Sequence, residues 1–204
     1  MSVSNETVAG LLARIASAGS EAGGGAAAAL TAATAAALIA MVGGIATRHA
    51  PEESGPREIA GEADALRQRL IALIGLDVDA YRRVLEARRD TAAPRAAAIR
   101  DALVRATEVP LEVATASARL LEHCVALLAS ARPGTRSDLG VAGLLAAAAL
   151  DAAALTARAN LQALAAPPFV ADAGAQLDRL LQHGGALRAR LSQAFEGRYE
   201  RSHA

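Results

Sequence analysis

The carboxylate of Asp77 is the group in this sequence best placed for acid/base chemistry. Apolar side chains recur at helical spacing on both sides of Asp77 in the sequence. Asp77 therefore falls in the middle of one apolar face of a predicted helix, a face formed by Leu66, Leu70, Ile74, Tyr81 and Val84. An aspartate aimed into a core is costly unless it is paired or hydrogen-bonded. Two explanations follow: a buried ion pair with an arginine, or a functional carboxylate that takes and returns a proton.

Asp138 is the second candidate carboxylate. It lies in the first turn of a later predicted helix, on the face that also carries Val141, Leu145, Ala149, Ala152 and Thr156. An acid in a first turn also complements the helix dipole, so a purely structural role stays open. We expect Asp138 to approach the same cleft as Asp77 from another helix.

Gly23, Gly24 and Gly25 open a long uncharged run, residues 22–47. The run is either a membrane span behind a hinge or a buried helix whose glycine entrance lets a ligand approach the backbone. Alanine and glycine supply most of it, it contains six Leu, Ile, Met or Val residues, and it has no interfacial Trp or Tyr. This composition favours a helix buried in protein, with a non-helical glycine entrance that exposes backbone N–H groups to a cleft.

The other reactive side chains give weaker signals. Cys124 falls on an apolar stripe and is expected to be a core thiol, and one cysteine cannot form an intrachain disulfide. The four histidines show no ligand spacing with cysteine or acidic residues, so we expect no metal. The sequence contains no G-x-S-x-G, no Walker loop and no strand-loop-helix GxGxxG.

The elements that must position these residues are predicted to be helices. More than a quarter of the 204 residues are alanine, and strand-favouring aromatic and β-branched residues are scarce. Caps and breakers predict helices over 4–18, 25–47, 56–89, 94–131, 137–164 and 172–199, with Pro110 kinking or breaking the fourth and Ser137 capping the fifth. We expect an all-α single domain, a bundle of long Ala-rich helices over 1–204, with a disordered tail at 200–204.

Charge and the N-terminal sequence restrict location and partners. Formal net charge is zero, lysine is absent and there is no basic block, which argues against nucleic acid. The first residues lack the pattern of a signal peptide, so we expect a cytoplasmic protein with no membrane partner. Small-residue surfaces that only close helix packing can bury predict a homodimer.

Four segments resemble the cyclodeaminase/cyclohydrolase family. "AGGGAAAALTAATAAALIAMV" is similar to its glycine-loop helix, "DVDAYRRVLEA" to its aspartate helix, "ATEVPLEVA" to its V-P-L segment, and "RSDLGVAGLLAAAAL" with "ARANL" to its Ser-Asp and Asn-Leu helix. The segments occur in the family's order and spacing.

The resemblance implies an all-α homodimer that binds a reduced folate. Members hydrolyse 5,10-methenyltetrahydrofolate or expel ammonia from 5-formiminotetrahydrofolate, so the implied substrate is a tetrahydrofolate derivative with no tightly bound cofactor. The motifs place the three glycines on the ligand loop and make Asp77 and Asp138 the catalytic carboxylates. They make Tyr81, Ser137 and Asn160 further ligand contacts.

The sequence also departs from the family pattern. Ser20 and Ala22 replace the prolines around the glycine loop, Ala26 replaces its serine, and Thr156 replaces an asparagine. A lysine-containing segment after the aspartate helix is missing. Three hypotheses stay open: a folate cyclohydrolase or cyclodeaminase, a diverged enzyme acting on another C–N or imine-like compound, and a non-catalytic helical dimer that binds a ligand.

Overall fold

The computed structural model describes residues 6–91 and 94–199, with side chains described to residue 195, and within these ranges it contains six α-helices and no strand. The helices are α1 Val8–Ile15, α2 Gly24–His49, α3 Ser54–Arg89, α4 Arg95–Ala126, α5 Arg136–Gln162 and α6 Pro167–Tyr199. The predicted all-α class is confirmed. The predicted disordered tail, 200–204, lies outside the described residues.

Helix α2 lies at the centre of the bundle. It packs along α3 and α5 and also touches α4, while α6 covers α4 and α5. Its buried side chains are mostly alanines, which let neighbouring backbones come close. At Gly43 the approach is so tight that a Cβ atom would lie 2.9 Å from the carbonyl oxygen of Pro56. At this contact α2 and α3 are therefore packed through their backbones, without an intervening side chain.

Two helical segments, Gly24–His49 and Pro133–Gln162, are long and apolar enough to cross a membrane by length and composition alone. Half of the most apolar window of each is buried inside the bundle, where α2 and α5 pack against one another. A buried helix, as the composition predicted for residues 22–47, has this pattern of one covered face.

Several helix ends differ from the predicted ones for local reasons. Helix α1 starts later than expected because the Thr7 hydroxyl accepts a hydrogen bond from the Gly10 N–H and caps the helix there. The prediction that Ser137 caps α5 is wrong. A 3-10 turn, Pro133–Thr135, leads directly into that helix, so Ser137 is its second residue. Helix α6 starts at Pro167, since proline suits a first turn.

The sequence predicted that Pro110 would kink or break α4, and the structure shows that it does not break the helix. A proline has no N–H, so the carbonyl of Ala106, four residues earlier, loses its helical donor. The Asn160 side chain of α5 replaces that donor with a hydrogen bond of 2.8 Å. The helix therefore continues from Arg95 to Ala126.

Two predictions about apolar helix faces, one at Cys124 and one on α5, had different outcomes. Cys124 is fully buried, as expected of a core thiol, and burial raises the pKa of its thiol to about 12. The predicted apolar face of α5 is confirmed only in part, since Ala149 is buried but Val141 is 46% exposed, and the buried face also includes Ala142 and Ala146. Alanines supply most of the buried residues of α5, together with Leu139, Leu150 and Leu161.

Candidate functional site

A cavity of about 370 Å³ lies between the start of α2, the C-terminal third of α3 and the C-terminal half of α5. Its lining includes Gly23, Gly24, Gly25, Asp77, Tyr81, Arg88, Thr156 and Asn160. Six of these eight are residues that the sequence predicted for the site. Helix α4 closes the cavity with two apolar residues, Leu103 and Ala106.

Asp77 caps the N-terminus of α2 from a neighbouring helix. Gly23 precedes the helix and has no side chain to cap it. The backbone N–H of Ala26, a first-turn donor without an intrahelical partner, donates to the Asp77 carboxylate instead. Because a carboxylate has several acceptor positions, this bond leaves Asp77 able to contact a ligand in the cavity.

Burial dominates the electrostatics of Asp77. Its side chain is partly buried, and desolvation raises its pKa to about 6 against the smaller opposing effect of the Ala26 N–H. Among the residues that the structure describes, no arginine forms an ion pair with Asp77. The buried Asp–Arg pair that the sequence left open is therefore not what holds this carboxylate.

Gly25 is needed for space rather than for an unusual backbone angle. It lies inside the first turn of α2, and a Cβ atom there would lie 2.5 Å from Cγ and 2.7 Å from Oδ2 of Asp77. At Gly24 the corresponding atom would meet Thr156 Oγ1 at 3.8 Å, an ordinary contact. The prediction of a non-helical entrance through all three glycines is wrong, since only Gly23 precedes the helix.

The α5 side of the cavity carries two polar side chains tied to backbone carbonyls. Thr156 Oγ1 donates to the carbonyl of Ala152 at 3.0 Å, one turn earlier in the same helix. Asn160 Nδ2 donates across the bundle to the carbonyl of Ala106 at 2.8 Å. Both side chains therefore hold fixed orientations at the cavity wall.

Charged residues surround the mouth of the cavity. The Glu21 carboxylate accepts hydrogen bonds from Arg82 at 2.9 Å and 2.7 Å, and this contact lowers the pKa of Glu21. Tyr81 is 47% exposed and lines both this cavity and an adjoining one of about 400 Å³. Arg88 is exposed and is part of the lining of the first cavity.

Asp138 and Ser137 are not part of this cavity. They lie in the first turn of α5, whereas Asn160 is 22 residues further along, a distance of about 33 Å at 1.5 Å per residue. The prediction that Asp138 approaches the cleft of Asp77 is therefore wrong within one chain. Its place in the first turn matches the structural alternative, a charge that complements the helix dipole.

Sequence reasoning missed Glu21, Arg88 and Thr156 as lining residues. Arg88 could have been found, because it follows Asp77 by eleven residues, or three helical turns, and so shares its face. Thr156 precedes Asn160 by one turn in the same way. Glu21 lies in the segment between α1 and α2, where no periodicity predicts its direction.

Comparisons with known proteins agree with this architecture. A sequence model of the formiminotransferase-cyclodeaminase family matches residues 7–179. The chain is 30% identical over 203 residues to the methenyltetrahydrofolate cyclohydrolase of Methylorubrum extorquens, covering 95% of this chain and 98% of that protein. The crystal structure of formiminotetrahydrofolate cyclodeaminase from Thermotoga maritima has the same fold, with a TM-score of 0.89 over 96% of this chain and 98% of that one at 21% identity.

Asp77→Asn should stabilise the folded protein at neutral pH. The carboxyl has a pKa of about 6 when folded and near 3.8 when unfolded, so its ionised form opposes folding. The variant should gain about 3 kcal/mol above pH 6, and the gain should disappear below about pH 4, where both states are protonated. Denaturant unfolding from pH 3.5 to 7.5 measures this. A loss of stability at pH 7 would contradict it, and Asp79→Asn, on the same helix and exposed, is the matched control.

Gly25→Ala should destabilise the protein by about 1–3 kcal/mol, because the new methyl group overlaps the Asp77 carboxylate and removes the cap of α2. Gly24→Ala is the neighbouring control, and its methyl group meets only ordinary contacts. It should be neutral or slightly stabilising, since alanine favours helix. Equal melting temperatures for the two variants would show that the Asp77 carboxylate does not need the space left by the absent side chain of Gly25.

Proposed function

The chain belongs to the formiminotransferase-cyclodeaminase family, and we propose that it is a folate enzyme that hydrolyses 5,10-methenyltetrahydrofolate to 10-formyltetrahydrofolate. The observation that carries this proposal is the partly buried Asp77 carboxylate at the cavity lining, with a pKa near the working range of an acid/base catalyst. The related protein of Methylorubrum extorquens is a cyclohydrolase, and its similarity extends over nearly the whole of both chains.

The reaction needs one group that first removes and then returns a proton. Water attacks the cationic carbon between N5 and N10 while the ionised Asp77 takes one of its protons. The bond from that carbon to N5 then breaks, Asp77 gives the proton to N5, and the remaining hydroxyl proton is released as the carbon becomes a formyl group on N10. Water and the cation thus give 10-formyltetrahydrofolate and one proton, and no bound cofactor takes part.

The environment of Asp77 suits both halves of this cycle. With a pKa of about 6, the free carboxyl is mostly ionised at pH 7 and can act as a base. It is also more basic than an ordinary aspartate, which helps it to capture a proton from water. A cationic substrate in the cavity stabilises the ionised form and is itself stabilised by it.

This chain lacks several polar side chains of the family pattern, so we propose that other residues of the cavity recognise the folate. Thr156, in place of an asparagine, lies on the cavity lining beside Gly24. Arg88 carries the guanidinium on the lining and can hold the carboxylate of the substrate's glutamyl tail. Tyr81 offers an exposed aromatic ring against which a planar pterin or the aminobenzoyl group can stack.

Asp77→Asn should lower turnover of 5,10-methenyltetrahydrofolate by about a hundredfold or more, the scale expected for loss of a general acid/base. Absorbance assays should also show kcat/KM of the wild type falling as pH drops through about 6, because protonation removes the base. Asp79→Asn should keep normal activity. Wild-type release of ammonia from 5-formiminotetrahydrofolate without cyclohydrolase activity would instead make the protein a cyclodeaminase, and inactivity on both would refute the folate assignment.

We further propose that the protein works as a cytoplasmic homodimer through the outer faces of α2 and α5. Helix α4 contacts both helices, so it covers one side of the pair. The uncovered side exposes large apolar residues, Met41, Val141, Leu144 and Leu155, between 42% and 73% exposed. Small neighbours such as Ala37 and Gly44 allow a second copy to pack closely there.

Replacing Met41 and Leu155 together by arginine should convert the dimer to a monomer, because two charges would be buried at the interface. Sedimentation velocity at micromolar concentration measures this. Leu76→Arg, an equally exposed leucine on α3, is the control and should stay dimeric. A wild type that is monomeric, or that enters lipid vesicles, would overturn the assignment of this face.

A further inference from the structure

We propose that Pro110 is a positioning residue that orients the Asn160 amide, so that the α5 wall of the cavity presents hydrogen-bond acceptors to N–H donors of the substrate. The identity of that substrate rests on the function proposed above, whereas the orientation of Asn160 can be tested without it. The two residues lie on different helices and are joined through one backbone carbonyl.

That carbonyl belongs to Ala106, which also lines the cavity. In a regular helix it would accept the N–H of residue 110, but proline has none and its ring crowds the carbonyl four residues earlier. A buried carbonyl without a donor is costly, and Ala106 lies in a largely buried turn. The sequence therefore creates an acceptor in the middle of α4 that requires an external donor.

Asn160 supplies this donor, and in doing so its amide loses the freedom to flip. Only the nitrogen of an amide can donate to a carbonyl, so the 2.8 Å contact assigns Nδ2 to Ala106 and leaves Oδ1 as the free acceptor. Asn160 is partly buried and lines the cavity with Asp77. Oδ1 is thus the acceptor that this side chain can offer to a bound molecule.

Thr156 adds a second acceptor one turn away. Its hydroxyl proton is used on the carbonyl of Ala152, so its lone pairs remain for a ligand. The two positions are about 6 Å apart along α5. A wall with two acceptors suits a heterocycle that donates N–H bonds, such as the amino and ring N–H groups of the 2-amino-4-oxopyrimidine ring in a reduced folate.

The structural part of the proposal is tested by the side-chain amide of Asn160. In ¹⁵N spectra its NH₂ protons, identified by their absence in Asn160→Ala, should exchange slowly in the wild type. In Pro110→Ala the restored N–H competes for the Ala106 carbonyl, so exchange should accelerate at least severalfold. Pro168→Ala is the control, because a proline in the first turn of α6 leaves no carbonyl without a donor. Unchanged exchange in Pro110→Ala would overturn the positioning role.

The ligand part is tested by kinetics with 5,10-methenyltetrahydrofolate. Pro110→Ala should raise KM by about tenfold with kcat changed less than about twofold, as expected when one oriented hydrogen bond is lost from binding. Asn160→Asp, which keeps acceptors but cannot donate to Ala106, should resemble Asn160→Ala. In the Asn160→Ala background Pro110→Ala should have no further effect on KM, and multiplied effects would overturn the proposal. A wild type inactive on both folates would refute the proposed function, while amide exchange would still decide the role of Pro110.

Discussion

The contact between the Asp77 carboxylate and the first turn of α2 is the constraint on which the site depends. It joins α2 and α3, because the carboxylate accepts from the Ala26 N–H and occupies the space that Gly25 leaves. A substitution on either helix at this point would therefore disturb the other helix. The same contact takes the carboxylate partly out of water, which raises its pKa. One side chain therefore contacts the start of α2 and provides the proposed acid/base group, and the desolvation that raises its pKa comes from the fold itself.

Several polar side chains around the cavity are tied to the backbone, whereas Glu21 is held by the Arg82 side chain. Asp77 accepts from a backbone N–H, as does Ser20 from Ala22, while Thr156 and Asn160 donate to backbone carbonyls. Backbone groups inside helices move little, so these side chains keep their directions before a ligand arrives. Such preorganisation lowers the cost of binding and favours charge development in a transition state.

The sequence predicted the helices and the central carboxylate well, because both follow from periodicity and from the cost of burying a charge. Asp77, Tyr81 and the three glycines were all found and share the observed cavity. The sequence failed at Asp138, since a helical wheel gives direction around an axis but not position along it. It also misjudged part of the buried face of α5, because this helix packs largely through alanines such as Ala142 and Ala146, which a wheel of large residues does not mark. The bond between Asn160 and Ala106, 54 residues apart, could not be predicted from local pattern at all.

The alanine core of α2 also determines how the molecule responds to disturbance. Eight of the twelve buried residues of α2 are alanines. Alanine has no side-chain rotamers, so folding freezes few of them, but these residues also cannot change rotamer to absorb a local shift. At Gly43 the backbone of α2 already touches that of the chain entering α3. A displacement there meets few side chains that could absorb it, so we expect α2 to transmit it along its axis toward the glycines of the cavity, about 27 Å away. A substitution near Gly43 is thus expected to affect the geometry of the cavity at the other end of α2.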